Sequence, residues 1–308
     1  MIGFLQNVID AISLGSLYAL AALGIGLLFG VLRLINFAHG DFISVGAYAL
    51  IVPPLQASAD VTAQMFIGRW PLPFMLVATS TIVIALAILC YLLLFRYLKS
   101  SSPPTLMIAS FAASYVIQNV LLIVYGAREK SVNLWPSLIQ QVDIGALHVA
   151  KLQLATIGAT MILMLLLTAI LRLTPLGVQM RAAAEDFRMA QYLGVRSNYV
   201  ISVAFAVSGV LAVAVSLLFV AQTGILTFQM GVPLMLFAFI GTVIGGMGSL
   251  VGAAVGGMAV GLAASLLQAY LPGEMRSFRD AFVFTLVILI LIVRPTGLFP
   301  TRAFTERV

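Results

Sequence analysis

Apolar residues run through this chain in stretches too long for a soluble core, and the breaks between the stretches define its elements. The pattern predicts helical segments over about residues 5–30, 72–95, 104–126 and 152–171, three more within 197–273, and a last one ending at Val293. A helix rises 1.5 Å per residue, so the uncharged run 11–32 extends about 33 Å and crosses a bilayer. The next run, Phe42 to Val52, stops at Pro53-Pro54 and reaches only about 16 Å, a half span. Between Ser197 and Gly273 lie 77 residues without one Asp, Glu, Lys or Arg, room for about three crossings.

Composition agrees with this pattern. Of 308 residues, 62% are hydrophobic and 8% charged, against about 25% charged in soluble domains. Apolar stretches near twenty residues favour helices over the alternating strands of a barrel. The expected architecture is an all-α polytopic membrane protein of eight or nine spans, a single domain over residues 1–308. The net charge of +6 sits in loops, where it sets orientation rather than binding nucleic acid. No Lys or Arg precedes Arg33, so the first segment reads as a retained span, not a signal peptide. Cys90 is the one cysteine, which rules out an intrachain disulfide or a cysteine metal cluster.

The half span is preceded by the densest polar cluster in an apolar setting. Arg33, Asn36, His39 and Asp41 fall within nine positions, where polar groups must be paired or face a cavity. A full span, a polar break and a half span describe a broken helix, and such breaks hold solutes in transporters. The plainer alternative is a cytoplasmic turn capped by Asn36 and Asp41. A second interruption, Gly241 to Ser249, contains Gly245-Gly246 and Gly248, where clustered glycines free backbone groups that need other partners. Beyond it, Gly248, Gly252 and Gly256, then Gly257 and Gly261, form two small-residue stripes suited to close helix packing.

Residues 172–198 carry Arg172, Arg181, Arg188 and Arg196 against Glu185 and Asp186, and by the positive-inside rule face the cytoplasm. Within them, Ala182 to Leu193 lacks Gly and Pro and suits a short helix that Gly194 ends. It is either a plain surface connector or a docking element for a soluble partner. Residues 127–151 read as an outer loop. The basic tail, with Arg294, Arg302 and Arg307, reads as cytoplasmic, which for nine spans leaves the N-terminus outside. Catalytic equipment is missing: there is no His-Glu-x-x-His, no phosphate-binding Gly-x-x-x-x-Gly-Lys-Ser/Thr, and the two histidines lie far apart. The chain reads as a permease whose energy source sits on another polypeptide, not as an enzyme.

Several motifs, in order along the whole chain, resemble the permease subunits of bacterial high-affinity branched-chain amino acid ABC transporters. They are Gly15-Ser-Leu-Tyr-Ala-Leu20, Leu34-Ile-Asn-Phe-Ala-His-Gly-Asp-Phe42, Arg181-Ala-Ala-Ala-Glu-Asp186 with Ala190 and Leu193-Gly194-Val195, Gly245-Gly-Met-Gly-Ser-Leu250, and Arg294-Pro-Thr-Gly-Leu-Phe299. The resemblance implies an inner-membrane importer of leucine, isoleucine or valine. It also implies a sister permease subunit, two cytoplasmic ATP-binding subunits holding ATP and Mg, and a periplasmic solute-binding protein; this chain would carry no cofactor or metal. It places the substrate pathway at Tyr18, Asn36, His39, Gly40, Asp41, Ser44, Thr242, Gly245, Gly246 and Gly248, and the coupling to the ATPase at Arg181, Glu185, Asp186, Ala190, Leu193 and Gly194. A literal Glu-Ala-Ala coupling motif is absent. Two other readings stay open: a permease of the related branch for urea and short amides, and an ion-coupled secondary transporter or channel, which would need ionisable groups inside the spans.

Overall fold

The innermost element of the computed structural model is its first helix, α1 (Ile2–Leu32). From Ala11 onward α1 is apolar around its whole circumference, and a helix with no polar stripe has to be surrounded by others. The structure describes residues 2–32, 35–53, 64–98, 101–144, 147–185 and 187–299. After α1 come the half-helix α2 (His39–Tyr48), α3 (Leu72–Leu98, with a π turn at Tyr91–Phe95), α4 (Pro103–Tyr125) and α5 (Lys151–Leu173). They are followed by α6 (Pro175–Glu185), α7 (Phe187–Tyr192), α8 (Ser197–Thr223), α9 (Gly231–Gly245), α10 (Leu250–Tyr270) and α11 (Arg279–Val293).

Among the described residues six helices are long and apolar enough to cross a membrane: α1, α3, α4, α5, α8 and α10. The shorter α2, α9 and α11 supply the remaining apolar segments, in keeping with the eight or nine expected. Around α1 pack α10, α8, α9 and α5. The outer helices α3, α4, α5 and α11 expose Phe74, Ile108, Leu165 and Ile292, a surface that water would penalise and hydrocarbon accepts.

The two glycine stripes on α10 serve different neighbours. Gly252 and Gly256 meet Gly245 and Gly241 of α9 backbone to backbone, whereas Gly257 and Gly261 meet Ala19 and Gly15 of α1. Without side chains between them the helices gain dispersion contact, the main attraction left in a solvent as apolar as the helices themselves.

Two regions depart from the sequence reading. The loop read over residues 127–151 contains a hairpin of Gln141–Ile144 with Leu147–Ala150, pairing Asp143 with His148, whose carboxylate and ring nitrogen lie 2.5 Å apart. Residues Lys130–Ser131 pair with Ile225–Leu226. Strands of two to four residues carry too little alternation to be read from pattern. Helix also resumes at Pro175, seven residues before the expected start, because Pro at a first helical position is favourable. The Thr174 hydroxyl accepts the Gly177 N–H at 3.2 Å and caps that turn.

Candidate functional site

The half-helix α2 is positioned by an Asx turn and by borrowed partners. The Asn36 side-chain oxygen accepts the Ala38 N–H at 3.1 Å, and the Asn36 carbonyl accepts the His39 N–H at 3.2 Å. From α4, the Ser110 hydroxyl accepts the Phe37 N–H at 3.2 Å. Phe37 stacks on Phe111 with ring centres 4.0 Å apart. Arg33 lies outside the described residues.

His39 is fully buried, with its ring on Gly24 of α1, where a Cβ would stand 2.5 Å from the imidazole. The Ser208 hydroxyl of α8 lies 3.0 Å from His39 Nδ1 and 3.3 Å from the Gly24 carbonyl. Next to it, Gly40 packs its backbone on Gly231, and one turn beyond Gly40 the Ser44 hydroxyl accepts the Gly231 N–H at 3.0 Å. Gly231 opens α9, so its N–H has no partner within that helix and α2 supplies one.

Asp41 turns toward α4 and is fully buried. Ser114 and Gln118 lie beside its carboxyl without closing a hydrogen bond of standard geometry, and Gln118 donates to Ser114 at 3.0 Å. Among the described residues, the buried side-chain polar atoms left without a protein partner belong to Asn36, His39, Asp41, Tyr48 and Ser216. Four of these sit on α2 or its leading turn, and Ser216 of α8 lies against Gly46 of α2. Such atoms cost about 1–3 kcal/mol each when left unpaired, so their gathering on and beside α2 marks where the chain is built for something other than stability.

The second cluster lies at the far end of α9. The Thr242 hydroxyl donates to Ala238 within α9 at 2.9 Å and lies 3.3 Å from the Ala22 carbonyl of α1. Tyr18 stacks on Phe237 at 5.3 Å. The helix stops at Gly245; Gly246, at φ 107°, turns the chain through a conformation that side chains rarely adopt. Gly248 lies at the exposed tip of the turn, and the Ser249 hydroxyl accepts the Gly252 N–H at 3.0 Å to start α10.

The carbonyls freed at this glycine turn are taken up by the last motif of the chain. Leu298 N–H donates to Ile244 at 2.7 Å and Phe299 N–H to Gly245 at 3.0 Å. The residues read as one pathway thus form two groups, around α2 and around the end of α9. Both touch residues 22–30 of α1, through His39 on Gly24, Thr242 on Ala22 and Gly248 near Gly30.

In the α6–α7 loop, the Arg181 guanidinium donates to the Leu171 carbonyl and ties α6 to the last turn of α5. Ala183 and Ala190 are buried, whereas Glu185 is exposed, and Tyr192 and Leu193 are 85% and 79% exposed. Gly194, at φ 89°, ends α7. Asp186 lies outside the described residues. Sequence reasoning missed Ser208 and the row Ser110, Ser114 and Gln118, although hydroxyls and an amide at four-residue spacing in an apolar span are a readable signal.

Residues 7–293 match the family model described as branched-chain amino acid transport system / permease component. The chain belongs to this family. It is 31% identical over 308 residues to the high-affinity branched-chain amino acid transport system permease protein LivH of Salmonella typhimurium, covering 96% of this chain and 95% of that one. To the corresponding permease protein BraD of Pseudomonas aeruginosa it is 29% identical over 304 residues, with the same coverage. A solved structure, PsaBC from Streptococcus pneumoniae in complex with Fab, is similar at a TM-score of 0.50 and 12% identity, over 93% of this chain and 91% of that one, and bears on the fold alone. As a member of this permease family, the chain is a multi-pass membrane protein and a transport component.

Proposed function

We propose that this permease is the membrane-spanning subunit of an ATP-driven importer and forms the passage for leucine, isoleucine and valine handed over by a periplasmic binding protein. It works beside a sister permease subunit in the inner membrane, with two cytoplasmic ATP-binding subunits that hold ATP and Mg. The observation that carries the reading is the family match over residues 7–293, joined to near-full-length relatives named for branched-chain amino acid transport. Arg172, Arg181 and Arg196 support a cytoplasmic α6–α7 loop and the basic tail a cytoplasmic C-terminus, which with nine spans leaves the N-terminus outside.

The loop is suited to receive force. Tyr192 and Leu193 offer apolar surface to a soluble subunit, with the Glu185 and Asp186 carboxyls nearby in sequence. Behind them α6 touches α5, α1 and α8; of these, α8 packs along α2 and α1 meets the His39 ring at Gly24. A push on the loop therefore reaches His39 and Ser44 through rigid, packed elements rather than a flexible linker. The pathway residues on α2 and at the end of α9 change surroundings between two arrangements, and transport requires that the solute bind those arrangements unequally.

The test is reconstitution of the complete transporter in liposomes. Leucine uptake should need ATP and every partner, and the double variant Glu185→Lys, Asp186→Lys should keep ATP hydrolysis while losing uptake. Unchanged uptake in that variant refutes the coupling assignment. Transport of urea or acetamide in place of leucine would move the chain to the amide branch, and uptake by this chain alone, driven by an ion gradient, would make it a carrier.

A further inference from the structure

A cavity of about 320 Å³ opens where residues 10–14 of α1 and the start of α5 meet the end of α8, with Ala150 of the hairpin in its wall; none of the pathway residues named above lines it. Its polar lining is Asp10, Ser13, Gln153 and Gln222, and its apolar lining includes Leu14, Leu152 and Ile139. That volume is at the lower end of pockets that hold small molecules, and a mainly apolar wall with a few convergent polar groups is their usual make-up.

The polar groups are held in place. Gln153 is fixed at both ends, its oxygen accepting the Ala150 N–H at 3.2 Å and its nitrogen donating to Asp10 at 2.6 Å. Gln222 donates to Thr156 at 3.1 Å. Among the described residues no Lys, Arg or His forms an ion pair with Asp10. A half-buried carboxylate that takes one amide donor and, among the described residues, no ion pair leaves acceptor capacity facing a small, mainly apolar space.

We infer that this cavity is a binding site for a small solute bearing a primary ammonium beside an apolar side chain, with Asp10 accepting from the ammonium. Ser13 and Gln222 supply the polar contacts for the rest of the solute's head, and Leu14, Leu152 and Ile139 receive its hydrocarbon. The inference rests on the proposed function in one respect: in the orientation argued above, the cavity opens on the side from which an amino acid arrives. Binding here precedes the passage around α2 and is a separate event.

Cys90 is the one cysteine of the chain, which makes a labelling test direct. The complete transporter in nanodiscs carries Cys90→Ala and Ala150→Cys, Ala150 lining the cavity, and is treated with a hydrophilic maleimide without the binding protein. L-Leucine and 3-methylbutylamine should each slow the labelling, and 4-methylpentanoate, which lacks the ammonium, should not. Adding Asp10→Asn preserves an acceptor for Gln153 but removes the charge, and should raise the leucine concentration for half-protection about tenfold, the effect of losing one charge-assisted hydrogen bond. Should Ala150→Cys not label, Ala221→Cys, also on the cavity wall, takes its place.

Protection by 4-methylpentanoate equal to that by leucine, no protection by any probe, or no change on Asp10→Asn overturns the assignment. The labelling needs no turnover, so a reporter complex with Asp10 intact that protects the cysteine but imports no leucine contradicts the proposed function and leaves this site standing. A complex that imports leucine with an unprotected cysteine does the reverse.

Discussion

Replacing Gly256 with Ala adds one methyl group inside the α9–α10 seam, where the two backbones touch. The new Cβ would lie 1.9 Å from the Gly241 carbonyl oxygen and 2.7 Å from the Gly245 nitrogen, both backbone atoms that cannot swing aside as a side chain does. To reach ordinary contact at 3.4 Å the two helices must part by about 1.5 Å, which loosens the Gly245–Gly252 contact and the seat of the glycine turn with it. Overpacking of this kind costs about 1–3 kcal/mol in a core that can adjust, and a backbone-to-backbone clash belongs at about 3 kcal/mol or above. Gly158, inside α5, is the control: a Cβ there meets nothing within 4 Å, and Gly→Ala in a helix interior should gain about 0.5–1 kcal/mol. Thermal unfolding of the two purified variants in detergent, with membrane yield and leucine uptake of the assembled transporter, reads the contrast. A Gly256→Ala protein as heat-resistant and active as Gly158→Ala would refute the claim that these glycines are required by close helix approach.

Three further expectations follow from the site. His39→Ala empties a buried ring position and leaves the Ser208 hydroxyl with the Gly24 carbonyl alone, so uptake should fall and stability drop by about 2–3 kcal/mol with membrane insertion unchanged; full uptake in proteoliposomes would reduce His39 to packing. Ser44→Ala strands the Gly231 N–H at the start of α9 and should lower the unfolding midpoint by the equivalent of about 1–3 kcal/mol; an unchanged midpoint would mean that another group takes the bond. Leu298→Pro deletes the N–H that reaches Ile244 and should speed proteolytic removal of the tail beyond Val293, weakening the clasp by about 1 kcal/mol; cleavage at the wild-type rate would show that the clasp does not hold there.

Long spans were legible because hydrocarbon imposes one rule on twenty residues at a time. The run from Ser197 to Gly273 gave its three helices, and the polar break before Phe42 gave a half-helix, since Pro53 and Pro54 close it too soon for a crossing. Both stripes of α10 were visible as spacing, yet spacing says nothing of which neighbour each one faces. That choice is made by tertiary packing, where Gly256 meets α9 and Gly257, one residue on, meets α1. The start of α6 at Pro175 was hidden because Leu173-Thr174-Pro175 reads equally as a loop. Least legible were pairings over long separations: Ser208 with His39, Gln153 with Asp10, and Leu298 with Ile244. Each joins groups that local pattern treats as unrelated.

The central place of α1 bears on how the molecule is made. Its main packing partner, α10, begins at Leu250, some two hundred residues after α1 ends. At roughly 5–20 residues per second, ribosomal synthesis leaves the first helix among lipids for about 10–40 s before that glycine-faced surface arrives. The helix destined for the middle is therefore the one that waits longest, and whatever shelters its Gly15 and Gly26 grooves, which Met258 and Ala253 of α10 later fill, decides how much of the newly made chain survives to be assembled.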